Sequence, residues 1–126
     1  MILDKFKLNG RLALVTGASR GLGQAMALGL AEAGADIVGL DRSGSEETGT
    51  KVRALGCRFH EVVADLRTTT VDDLNRIVTE IVAAMGHLDI LVNNAGIIRR
   101  APAVEFSEDD WDDVLGTYCF AGIAGK

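Results

Sequence analysis

The stretch Val15-Thr16-Gly17-Ala18-Ser19-Arg20-Gly21-Leu22-Gly23-Gln24 decides how the rest of the chain is read. Ahead of it, Leu12-Ala13-Leu14-Val15 is a short apolar run suited to a strand buried on both faces. Behind it, Leu22, Met26 and Leu30 recur four apart among alanines, which predicts a helix that Gly34 is placed to cap. Three glycines therefore stand at a strand-to-helix turn. Gly17 permits a sharp exit from the strand, Gly21 leaves room for a phosphate, and Gly23 lets the helix pack closely on the strand. The N–H groups and positive dipole end of such a helix attract a pyrophosphate.

Outward from this stretch the pattern repeats. Ile37-Val38-Gly39-Leu40 reads as a second buried strand ending on Asp41, and Glu46 to Leu55 as a helix stopped by Gly56. Phe59 to Ala64 gives a third strand, ending on Asp65-Leu66. Thr68, Thr69 and Thr70 offer N-caps to a helix with Asp72 and Asp73 in its first turn. That helix should lay down Val71, Leu74, Ile77, Val78, Ile81, Val82 and Met85 as its apolar face, with Gly86 at its end. Leu88-Asp89-Ile90-Leu91-Val92 is a fourth strand, running into Asn93-Asn94-Ala95-Gly96. Residues 1–10 read as a polar lead-in with a turn at Asn9-Gly10. Ser107, with Asp110 three residues on, signals a last helix start, and Phe106 and Trp111 occupy staple positions.

Alternating strands and helices call for an α/β fold, a Rossmann-type parallel sheet with helices on both faces. Right-handed crossovers and a switch point beside the first strand give the strand order 3-2-1-4. The residues singled out so far then gather at the carboxyl ends of strands, where such sheets bind ligands.

At 126 residues, 48% hydrophobic and 25% charged, the chain is one domain of globular composition. A net charge of −5 argues against nucleic-acid binding, which needs a basic face. No run approaches the ~18 apolar residues of a membrane span, and the start, Met1-Ile2-Leu3-Asp4-Lys5-Phe6, lacks a signal-peptide core. Cys57 and Cys119 are too few for a disulfide framework, and His60 and His87 are isolated, so no metal site and a cytoplasmic setting are expected.

Asp41 lies eighteen residues beyond Gly23, where a carboxylate accepts hydrogen bonds from the adenosine ribose and repels a 2′-phosphate. This favours NAD over NADP, although Arg20 and Arg42 are both able to meet that phosphate. Led by Thr-Gly, the spacing Gly-x3-Gly-x-Gly, together with Asp41, Asp65-Leu66 and Asn93-Asn94-Ala95-Gly96, resembles the short-chain dehydrogenase/reductase family over residues 8 to about 114. The resemblance implies that the cofactor meets Gly17, Ser19, Arg20, Gly21, Leu22 and Gly23 of the first loop. It adds Asp41 at the ribose, Asp65 and Leu66 at the adenine, and Asn93, Ala95 and Gly96 after the fourth strand.

Ile97-Ile98-Arg99-Arg100-Ala101-Pro102 and Glu105-Phe106-Ser107-x3-Trp111 are similar to the subgroup of that family acting on gluconate-type sugar acids. The resemblance makes Arg99 and Arg100 the candidates for holding a substrate carboxylate; read as residues alone, adjacent arginines are more often a solvated surface pair. The family's acid/base is a tyrosine with a lysine four residues later, helped by a serine and a relay asparagine. Here the one tyrosine, Tyr118, is followed four residues on by Gly122, no asparagine follows Asn94, and no serine follows Ser107. No catalytic residue is therefore assigned. The glycine-rich tail, about residues 116–126, departs from the family pattern and reads as aberrant, as from truncation or a frameshift. One expectation is the cofactor-binding half of an NAD-dependent sugar-acid oxidoreductase, inactive alone and prone to self-association. The other is a free-standing nucleotide-binding or interaction module.

Overall fold

The computed structural model describes residues 1–96 and 101–112. Four parallel strands form one sheet: β1 (Leu12–Thr16), β2 (Asp36–Asp41), β3 (Phe59–Val63) and β4 (Ile90–Val92), in the order β3-β2-β1-β4. The expected 3-2-1-4 order is thus observed. Leu12 to Thr16 face Asp36 to Leu40, Ile37 to Asp41 face Phe59 to Val63, and Ala13 to Val15 face Ile90 to Val92. Helices α1 (Gly21–Glu32), α2 (Glu46–Ala54) and α3 (Val71–Met85) make the crossovers.

Side-chain alternation along the strands divides the core in two. Leu12, Leu14, Val38, Leu40 and Val62 face α3, where Leu74, Ile81 and Met85 bury onto them. Ala13, Val15, Ile37 and Phe59 turn the other way, against Ala27 and Ala31 of α1 and Val52 of α2. Every residue of β1 is buried, which is why its sequence runs apolar without alternation.

Two local readings need correction, and a third is completed. On α1 the predicted helix is present, and its buried residues are Gly23, Ala27 and Ala31, while Leu22 is 70% exposed. The helix sits so close to the sheet that only small side chains fit between them. On α3, Val71 and Val82 stay exposed although the period included them, because one row of the helix covers the sheet and its flanks do not. Leu88 and Asp89 precede β4 instead of opening it. Asp89 still completes the ladder by other means: its carboxylate accepts from the Leu12 N–H at 2.8 Å, and its own N–H donates to the Leu12 carbonyl at 3.0 Å.

The cap of α3 is Thr70, whose hydroxyl accepts from Asp73 N at 3.2 Å while the Asp73 carboxylate accepts from Thr70 N at 3.0 Å. Gly86, at φ 96°, ends that helix in the left-handed conformation. The lead-in holds a short 3₁₀ helix, Ile2–Phe6, with no buried residue. Ser107 caps as expected, its hydroxyl accepting from Asp110 N at 3.0 Å. Trp111 remains 58% exposed, so a staple with Phe106 buries little of it. Leu115, the glycine-rich tail with Tyr118, and Arg99 and Arg100 lie outside the described residues. Among the described residues no helix is long and apolar enough to cross a membrane.

Candidate functional site

The loops leaving β1, β2, β3 and β4 converge on one cleft of about 260 Å³ at the carboxyl edge of the sheet. Its lining includes Gly17, Ser19 and Arg20 after β1, Asp41, Arg42 and Ser43 after β2, Ala64 to Arg67 after β3, and Asn94 to Gly96 after β4. A parallel sheet necessarily brings these together, since every strand ends on the same side.

The turn after β1 is possible because two positions tolerate nothing larger than glycine. Gly17 has φ 67°, and a Cβ there would lie 3.0 Å from the Ala95 Cα. A Cβ on Gly23 would lie 1.9 Å from the Gly17 carbonyl oxygen and 2.5 Å from Asn94 Nδ2. The expected close packing of helix on strand is therefore present at Gly23. No side chain caps the start of α1, whose N-cap is Arg20 in extended conformation.

The fourth loop is tied to the first through Thr16. The residue is 1% exposed, and its hydroxyl donates to the Val92 carbonyl at 3.3 Å and accepts from Asn94 N at 3.0 Å and Ala95 N at 2.9 Å. Asn94 Nδ2 returns the tie, donating to the Thr16 and Gly17 carbonyls at 3.3 Å each. Of the two adjacent asparagines, Asn94 is the one that ties the loop after β4 to the end of β1. Asn93 is exposed and does not line the cleft, whereas Ala95 and Gly96 do.

Asp41, the last residue of β2, lines the cleft. Oδ2 accepts from Ser19 N at 3.2 Å, and Oδ1 accepts from Ser43 N at 3.1 Å and Ser43 Oγ at 3.0 Å. Partial burial pushes its pKa up, but the hydrogen bonds from Ser43 and Ser19 outweigh burial and leave it below the ordinary carboxylate value. The group is therefore an anion with lone pairs still able to accept ligand hydroxyls. Asp65 is held by Arg67, with Nη2 to Oδ2 at 2.9 Å and Nε to Oδ1 at 3.2 Å, and that guanidinium keeps its carboxyl below the usual range. Leu66 is buried at the foot of the cleft and also belongs to the core on the α3 side.

Of the residues expected from sequence, Gly17, Ser19, Arg20, Asp41, Asp65, Leu66, Ala95 and Gly96 line the cleft, while Gly21, Leu22 and Gly23 stand beside it in the first turn of α1. Sequence reasoning missed Thr16, Ser43, Arg67 and Asn94. It also missed the buried Thr48 on α2, whose hydroxyl donates to the Ala18 carbonyl at 2.6 Å. A signal for Thr48 was available: a threonine and a glycine, not leucines, occupy the inward positions of a short helix.

Polar donors, a carboxylate and close-running backbone fit a ligand with anionic phosphates and sugar hydroxyls. Comparison with known proteins agrees. A sequence model of the short chain dehydrogenase family matches residues 11–124. The chain is 56% identical over 115 residues to the 2-dehydro-3-deoxy-D-gluconate 5-dehydrogenase of Escherichia coli (strain K12), a match covering 91% of this chain and 45% of that protein. Its fold superposes on the NAD-bound short chain dehydrogenase of Mycobacterium paratuberculosis with a TM-score of 0.79 and 34% identity, covering 94% of this chain and 51% of the other. The short chain dehydrogenase of Burkholderia cenocepacia J2315 in complex with NADP gives a TM-score of 0.83 and 36% identity, covering 94% and 49%. The chain thus spans about half the length of these relatives. With its family's sequence pattern from residue 11 onward and its family's fold throughout the described sheet, this chain belongs to the short-chain dehydrogenases.

Proposed function

We propose that this chain is the cofactor-binding half of an NAD-dependent oxidoreductase acting on a hydroxyl or keto group of a sugar acid. The observation that carries the reading is the convergence of the four strand-end loops on one cleft that Asp41 helps to line. Gly17, Ser19 and Arg20, with the first turn of α1, would hold the pyrophosphate. Asp41 would accept the ribose hydroxyls, Asp65 and Leu66 would flank the adenine, and Ala95 and Gly96 would let the backbone run close to the nicotinamide end. Bound there, the nicotinamide ring supplies hydride acceptance or donation. The chain's own residues bind and orient it. The sugar-acid assignment draws on the gluconate-type relative, and Arg99 and Arg100 are proposed to meet the substrate carboxylate. A reducing, cytoplasmic setting goes with this reading.

NADP is the second reading, favoured by Arg20 and Arg42 on the cleft wall and by an NADP-bound relative. Asp41 weighs against it, because its carboxylate is ionised and would repel a 2′-phosphate. Calorimetric titration with NADH and NADPH separates the two. Tighter NADH binding is expected; tighter NADPH binding would overturn the preference, and no binding of either would overturn the assignment of the cleft.

A further inference from the structure

A chain of hydrogen bonds runs from the surface of α2 to the underside of the loop after β1. Lys51 Nζ donates to Gln24 Oε1 at 3.3 Å, Gln24 Nε2 donates to Thr48 Oγ1 at 3.0 Å, and Thr48 Oγ1 donates to the Ala18 carbonyl at 2.6 Å. The direction is fixed by chemistry. Lysine can only donate, so Gln24 presents its oxygen outward and its amide inward. A carbonyl can only accept, so the single Thr48 proton goes to Ala18 and the hydroxyl oxygen receives Gln24. Thr48 is fully buried, where a hydroxyl without such partners is costly.

This chain acts on two successive peptide groups. In a trans peptide the C=O and the following N–H point in opposite directions. The Ala18–Ser19 peptide is clamped at both ends, its carbonyl by Thr48 and its N–H by Asp41 Oδ2 at 3.2 Å. The Ser19 carbonyl accepts at 3.4 Å from Gln24 Nε2, the same α1 amide nitrogen that reaches Thr48 of α2. The Arg20 N–H on the same peptide plane must then turn away from α2. The geometry points to Gln24 and Thr48 as positioning residues for phosphate recognition. By holding the Ala18 and Ser19 carbonyls back, they keep those oxygens off an incoming anion and present the Arg20 N–H to it. This rests on reading the cleft as a dinucleotide site.

The test compares ligands with and without the pyrophosphate on the full chain. In Thr48→Val, NADH affinity should fall roughly tenfold, the scale of one lost buried hydrogen bond, while adenosine affinity stays within about twofold. Thr48→Ser, which keeps the hydroxyl, should restore NADH binding. In the parent chain, inorganic pyrophosphate should shift the Arg20 amide resonance, and in Thr48→Val that shift should be lost. Should Thr48→Val fail to melt cooperatively, Gln24→Met carries the same criterion, since it keeps length and removes the donor. Equal losses of NADH and adenosine, or none, would overturn the positioning role and leave the cleft assignment standing. A parent chain that binds neither NADH nor NADPH overturns both.

Discussion

On the proposed reading Asp41 sets the preference between NAD and NADP, and its hydrogen bonds say how. With Ser43 on one oxygen and Ser19 N on the other, the carboxylate is fixed in place before a ligand arrives. Replacing Asp41 by Ala removes the charge that repels a 2′-phosphate, so the ratio of NADH to NADPH affinity should shrink by roughly tenfold. Paired calorimetric titrations check this; an unchanged ratio would show that discrimination lies elsewhere in the cleft. The same group sets an acid limit. Its pKa lies below the ordinary value of 3.8 when folded, as does that of Asp65. A carboxyl depressed on folding gives its full stabilisation above the unfolded pKa and loses it as pH falls through the folded one. Urea midpoints should therefore be flat near neutrality and drop between about pH 5 and 2. In Asp41→Asn that drop should be shallower, because the neutral amide has no proton to gain.

The approach of α1 to the sheet decides whether the loop after β1 can exist. In Gly23→Ala the new methyl would lie 1.9 Å from the Gly17 carbonyl oxygen, a backbone atom, and 2.5 Å from Asn94 Nδ2, which is itself tied to the Thr16 and Gly17 carbonyls. A loss of about 3 kcal/mol or more is expected, with weakened dinucleotide binding, since the loop itself must shift. Denaturant melts that place the variant within about 1 kcal/mol of the parent would refute so tight a contact. The elements differ in how far their sequences disclose them. For α3 the apolar period located the helix and its inward row, Leu74, Ile81 and Met85, because a fifteen-residue helix lying on a sheet repeats its contact row several times, though it also took in the flanking Val71 and Val82. For α1 the leucine spacing located the helix but not the face that meets the sheet. Where a helix rides close, Ala27 and Ala31 make the contact and the bulky residues are pushed to the flanks. The four-loop convergence was legible because strand order and parallel direction fix it. The inward place of Thr48 could be read from its short helix, but not its partner Ala18, which is thirty residues away and joined to it only by the fold. Nor could adjacent asparagines be told apart before the path of the chain after β4 showed Asn94 turning inward and Asn93 outward.

For the molecule as a whole, binding and turnover should separate. The only tyrosine, Tyr118, has Gly122 four residues on, so no tyrosine–lysine pair is present to move a proton from the carbinol. The purified chain should give no NADH from gluconate-type substrates above a Tyr118→Phe control, even where it binds the cofactor. Reproducible turnover above that control would return Tyr118 to consideration. Among the described residues β4 pairs only with β1, and Ile90, Leu91 and Val92 carry no charge along that edge. Uncharged strand edges pair readily with other chains, so light scattering should show association that grows with protein concentration. A monodisperse monomer would favour the free-standing module. The knot at Thr16 has a consequence of another kind. One hydroxyl fastens the loop after β4 to the end of β1 through three partners, all within the protein. That corner of the cleft is already assembled when the fold is complete, so a ligand arriving there meets a mould and not a closing hand. The entropy of ordering those residues is spent during folding and does not weaken the later encounter.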